Sequence, residues 1–239
     1  MKAKNQFSQK PTLTFKSFPM QKIVLSALFF FWIIQSACVT SLNPLVTYDR
    51  AITDERLSGT WKKSDGQEFL IQPVLKSDFY THHQDLKDNI KKGAKEDSLL
   101  LARSYILEYD KECGHYTLLI SFIRLNGQLF MNCAPIEGTY NTHEGGGVDL
   151  NIPGSMPSYT IAKIHWQNAN TLKIDFIDGG FLYDQIKANR MKIKHESDDM
   201  YDTFLLTAST NELRQFIQKY GNDDRFFDKE NSVTLIRKS

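Results

Sequence analysis

Apolar and polar positions alternate along most of the chain after residue 57. Leu172, Ile174 and Phe176 alternate with Lys173 and Asp175, the period of two expected for a strand with one face buried. The same pattern predicts strands over 58–63 and 68–74, around the turn triplet Ser64-Asp65-Gly66. It continues over 99–109, 115–125 and 128–133, with Asn126-Gly127 as a two-residue hairpin signal. Strands over 159–166 and 171–177 flank Asn168-Ala169-Asn170, those over 191–195 and 201–207 flank Ser197-Asp198-Asp199, and a last one lies at 233–235. Helical patterning is rarer. Ser209-Thr210-Asn211-Glu212 is a capping-box pattern, Leu213, Phe216, Ile217 and Tyr220 then share one helical face, and Gly221 marks a stop. Thr53-Asp54-Glu55 can cap a short turn before Gly59. Residues 181–189 read as a short helix, 76–97 as a loop or short surface helix, and 134–157, with Gly145-Gly146-Gly147, as a long connection.

These elements define a mainly β fold class. An antiparallel meander of about 8–10 strands closes into a barrel or a two-sheet sandwich, since closure removes exposed strand edges. The C-terminal helix falls near 210–220. The chain divides into a leader over 1–37, a tether over 38–57 and a single β-rich domain over 58–239.

The leader has its own pattern. Residues 23–34 are apolar apart from Ser26 and carry no charge. A spanning helix needs about 20 apolar residues, so the run fits the centre of a secretory signal instead. Lys22 precedes it and small residues follow. Starting at Met20 would give a signal within the usual length of about 15–30 residues, ending at Ala37. Ser36-Ala37-Cys38 resembles the lipobox of bacterial lipoprotein signal peptides, with Gln35 where that family prefers Leu. The resemblance implies that the Cys38 thiol takes a diacylglycerol, that cleavage precedes it, and that the new amino group gains an acyl chain such as palmitate. Two or three chains hold a protein lastingly on a bilayer. The implied location is the bacterial cell envelope, at the outer membrane, with the membrane itself as partner through the N-terminal lipid.

Gly59-Thr60-Trp61, on a first strand after a short helical turn, resembles the Gly-x-Trp motif of lipocalins. In that family the Trp closes the barrel floor and the Gly lets the chain turn beneath it, so Gly59 and Trp61 mark a lipocalin-like barrel. The late helix followed by a strand echoes the same order. The family's Thr-Asp-Tyr motif is absent, and Arg237 is the candidate for the Arg that packs on the Trp.

The formal charge of +1 conceals two halves. The leader holds Lys2, Lys4, Lys10, Lys16 and Lys22 with no acid, which leaves 24 basic against 28 acidic residues after it. A body of −4 argues against a domain built to neutralise nucleic-acid phosphates. No nucleophile elbow, Walker loop, Rossmann fingerprint, zincin or EF-hand pattern occurs, so no catalytic residue or cofactor is assigned. His82, His83 and Asp85, with Asp88 nearby, are weak metal candidates, because adjacent His side chains point apart on a strand. The hairpin at 126–127 sets Cys133 opposite Ile120 and leaves Cys113 about 23 Å along the strand, too far for a disulfide. Three functions remain: a lipid-anchored body that binds a small apolar ligand, a structural or interaction lipoprotein facing an envelope partner without a ligand cavity, and an exported metal-dependent hydrolase.

Overall fold

The computed structural model describes residues 39–82, 88, 95–111, 114–141, 147–149, 158–198 and 203–238. Residues 36–239 form one compact unit. Its strands are β1 (Thr40–Ser41), β2 (Gly59–Lys63), β3 (Glu68–Pro73), β4 (Tyr105–Lys111), β5 (Gly114–Leu125), β6 (Gln128–Asn141), β7 (Gly147–Asp149), β8 (Tyr159–Asn168), β9 (Thr171–Phe176), β10 (His195–Asp198), β11 (Thr203–Leu206) and β12 (Val233–Arg237). Its helices are α1 (Asp78–His82), α2 (Lys95–Ala102), α3 (Gly179–Lys187) and α4 (Thr210–Tyr220).

Eight strands close a barrel in the order β2-β3-β4-β5-β6-β8-β9-β12, every neighbour antiparallel. β12 completes the ring by pairing Arg237 with Trp61 on one side and Val233 with Ile174 on the other. The expected meander therefore closes, as a barrel rather than a sandwich. A small annex continues from β8: β1 pairs it antiparallel and pairs β11 in parallel, and β10 lies outermost.

Three expected strand limits shift, two of them for a local reason. Residues 99–102 belong to α2, because Leu99-Leu100-Leu101-Ala102 has no alternation and high helix propensity. The strand starts at Tyr105, where alternation begins. β6 runs on through Pro135 to Asn141 instead of ending at Cys133. A bulge lets it pass: register shifts between Thr117 and Leu118, which face Glu137 and Pro135. Residues 191–194 are irregular, and only His195 begins a strand.

Two large apolar cores result, one on each side of the barrel wall, beside a small cluster at Val74 and Ile106. Inward positions at alternate residues, including Trp61, Ile71, Leu107, Ile120, Phe122, Met131, Ile164, Leu172 and Leu235, pack into one cluster. The outer face of β5, β6 and β8 carries Ile123, Phe130 and Ile161, which pack against α3, α4 and residues 39–51. Residues 39–57, expected as a tether, include Val39, Leu45, Val46, Ala51 and Leu57, all buried. Leu45 N–H donates to the buried Asn132 Oδ1 on β6 at 2.9 Å, and Arg214 of α4 donates to Leu45 O at 3.0 Å.

The capping box of α4 forms as the sequence predicts. Ser209 Oγ accepts from Glu212 N–H, and the Glu212 carboxylate accepts from Ser209 N–H. At the other end Gly221 has φ −65°, so its glycine is not there for backbone freedom. A Cβ would lie 2.5 Å from Ile217 O and 3.0 Å from the Phe130 ring, so close packing on the wall requires it.

Candidate functional site

The barrel interior is the first candidate. Trp61, Phe69, Tyr109 and Tyr116 stand on consecutive strands, with Trp61 opposite Phe69 and Tyr109 opposite Tyr116. Phe69 and Tyr109 rings are 5.3 Å apart, Tyr109 and Tyr116 5.1 Å, and Trp61 and Trp166 5.9 Å. An eight-stranded barrel is just wide enough either to be filled by side chains or to hold one small ligand. Here the large inward residues occupy the space: Trp61, Ile71, Ile120, Phe122, Leu172 and Leu235 are at most 1% exposed.

One end is sealed by a 3-10 turn over Glu55–Leu57, with Asp54 at its cap accepting from Arg56 N–H. Trp61 Nε1 donates to Leu57 O at 2.8 Å. Arg237 lies over the Trp61 ring at 4.4 Å, while its Nη1 donates to Ser58 O at 2.8 Å and its Nη2 to Arg56 O. Arg56 lies over Trp166 at 4.4 Å and grips Asp54 with two hydrogen bonds, which hold that carboxyl below its ordinary range. Gly59 has φ +134°, and a Cβ there would meet Arg237 Nη1 at 2.7 Å. Gly59, Trp61 and Arg237 thus form a closing unit in which the glycine makes room for the guanidinium.

A second candidate lies outside the barrel. An open groove of about 750 Å³ runs between residues 189–195 and α4. Its floor is apolar, with Ile186, Met191 and Phe216, and Tyr220 Oη reaches Arg190 O at 3.4 Å. Its rim is basic: Arg190, Lys192, Lys194 and Lys219 are all exposed. Only Lys194 is paired among the described residues, with Glu212 at 2.9 Å. That contact and the capping bonds push the Glu212 carboxyl down to about 2. His195 is held by Ile193 O at 2.9 Å and stacks on Phe204 at 4.9 Å. Sequence reasoning passed over this rim, although its signal is present: Arg190, Lys192 and Lys194 alternate with Met191 and Ile193.

A third feature is ionic. Asp175, 1% exposed on the outer face of β9, meets His165 at 3.2 Å, Lys173 at 2.8 Å and Lys229 at 3.7 Å. Burial, then Lys163, pushes His165 below its ordinary value. Lys163, 3% exposed, donates to Gly221 O at 3.0 Å and so anchors the end of α4. The contacts of this set tie β8, β9 and the C-terminal elements together.

Other carboxylates hold local structure: Asp178 caps α3, Asp223 pairs with Arg225 at 2.7 Å, and Asp228 accepts from Asn231 N–H. His82 ends α1, while His83, Asp85, Cys38 and Cys113 lie outside the described residues. Among the described residues no group of three His, Cys, Asp or Glu side chains is gathered for a metal. Cys133 carries no disulfide and lies opposite Ile120 as expected, with burial pushing its thiol up to about 12.

Fold and site together define the class: a lipocalin-like antiparallel barrel with a filled interior, one wall clad by helices, and a basic groove in the cladding. Comparison with protein-family models, curated proteins and solved structures finds no match for the chain.

Proposed function

We propose that the protein is a lipid-anchored component of the bacterial cell envelope, held by acyl chains on Cys38, whose barrel is a rigid scaffold displaying an interaction surface. The observation that carries the non-carrier part is the packed interior, where Trp61, Phe122 and their neighbours occupy the volume an apolar ligand would need. The delivery part rests on the order of Lys22, the apolar run 23–34 and Ser36-Ala37-Cys38. A scaffold role also suits the cladding, since residues 39–51 are packed onto the wall and bring the body close to its anchor.

Mass spectrometry of membrane-extracted protein tests both parts. Denaturing spectra should show a chain beginning at Cys38 with the added mass of two or three acyl chains, and Cys38→Ala should abolish it. Native spectra should show no further small-molecule adduct. An uncleaved, unacylated chain would overturn the anchor. A stoichiometric adduct lost on denaturation would restore the apolar-ligand reading.

A further inference from the structure

We infer that the basic groove between residues 189–195 and α4 is a membrane-contact site that seats the anionic headgroups of acidic phospholipid; the inference rests on the lipid-anchored reading above. Two observations converge on it. The first is charge: four exposed cations rim a groove with one carboxylate, on a body whose net charge after the leader is −4. Arg190, Lys192 and Lys219 have no ion pair with a described carboxylate, so their charge is available to an outside anion. An acidic body that concentrates cations at one groove is built to orient on a negative surface.

The second observation is the position of the anchor. Ser41 of β1 pairs with Leu206 of β11, and Leu206 pairs with His195 at the groove's edge. Two strand spacings separate Ser41 from His195, about 10 Å. Cys38 precedes Ser41 by three residues, a reach of at most about 11 Å. Acyl chains on Cys38 would therefore hold the bilayer surface within about 21 Å of His195, the sum of the two spans. The apolar floor of Ile186, Met191 and Phe216 complements this, since headgroups carry glycerol and upper acyl carbons as well as phosphate.

Hydrogen–deuterium exchange of the full-length, membrane-extracted protein in lipid nanodiscs tests the inference. Discs of phosphatidylcholine alone are compared with discs containing phosphatidylglycerol. Residues 189–195 and 212–220 should exchange about fivefold more slowly in the anionic discs, the factor that matches about 1 kcal/mol per surface cation. Lys192→Glu and Lys219→Glu, both at exposed positions, should remove that difference while leaving thermal unfolding unchanged. Equal exchange in the two discs would overturn the inference. So would equal protection in neutral discs with added glycerol phosphate, which would assign the groove to a soluble anion. Denaturing mass spectrometry of the same sample reports Cys38 acylation separately. Protection without acylation would refute the anchor alone, and acylation without protection would refute the groove alone.

Discussion

Replacing Arg237 with Met isolates what closes the barrel. Met keeps most of the aliphatic stem against Trp61 and removes the guanidinium. Three interactions disappear: the stacking over Trp61 at 4.4 Å, the bond to Ser58 O at 2.8 Å and the bond to Arg56 O. A cation over an aromatic face contributes about 0.5–2 kcal/mol, and a hydrogen bond from a charged donor about 1.5–3 kcal/mol before non-additivity. Arg56 is exposed and Ser58 half-buried, so water can replace part of the loss. The expected destabilisation is therefore about 2–3 kcal/mol, below the simple sum of the three terms. Urea unfolding followed by circular dichroism would measure it, with an unchanged m-value showing that the denatured state is unaffected. Trp61→Phe supplies the second side of a double-mutant cycle. It keeps an aromatic face but loses the bond from Nε1 to Leu57 O. Coupling of about 0.5–1 kcal/mol between the two substitutions is expected from the cation–ring contact. A loss below about 0.5 kcal/mol for Arg237→Met, or no coupling, would refute the account of a closing unit.

Other tests address the cladding and the interior. Gly221→Ala should cost about 1–3 kcal/mol in thermal unfolding, since its Cβ must displace Ile217 O and the Phe130 ring despite an ordinary φ. No loss would mean that α4 can slide on the wall. Glu212 should titrate near 2 in a carboxyl-detected NMR experiment, and Lys194→Ala should raise its midpoint. Because the folded value lies below the ordinary carboxylate value of about 4.3, its stabilising contribution is complete above that pH. It fades as pH falls toward 2. Cys133, whose thiol is pushed up to about 12, should resist alkylation at pH 8 in the folded protein and react in urea, as followed by peptide mapping.

Much of the barrel was legible because its strands keep strict alternation. Leu172, Ile174 and Phe176 point inward as the period of two requires, and the hairpin at 126–127 fixed the Cys133–Ile120 register. The capping box of α4 is a local chemical pattern, and it forms as written. Gly59 and Trp61 also marked the closing turn, while Arg237 lies 176 positions beyond Trp61 and meets it only through β12–β2 pairing. What escaped depended on contacts between distant segments. Leu45 and Val46 sit in a stretch without periodicity, so nothing local marks them as buried; the outer wall of β5 and β6 buries them. The basic rim was missed for a similar reason. Lys219 lies on α4, and only tertiary packing brings it beside Arg190 and Lys192.

Whether such a barrel carries a ligand turns on the size of its inward residues, and strand parity identifies those before any coordinates exist. Phe69, Tyr109, Phe122, Trp166 and Phe176 share inward parity with Trp61 on five further strands. A carrier of comparable strand number must leave part of that volume to its cargo. Here rings at 5–6 Å spacing occupy it. The outward face of the wall is also apolar in part, at Ile123 and Leu125 of β5, Phe130 of β6 and Ile161 of β8. Ile123, Phe130 and Ile161 are buried there by segments from both ends of the unit. Both faces of this wall are thus committed to packing. Of the surface that the cladding presents, the groove of Arg190, Lys192 and Lys219 combines concavity with unneutralised charge, so mutational scanning for a binding phenotype is expected to concentrate there and spare the barrel's inward residues except through stability.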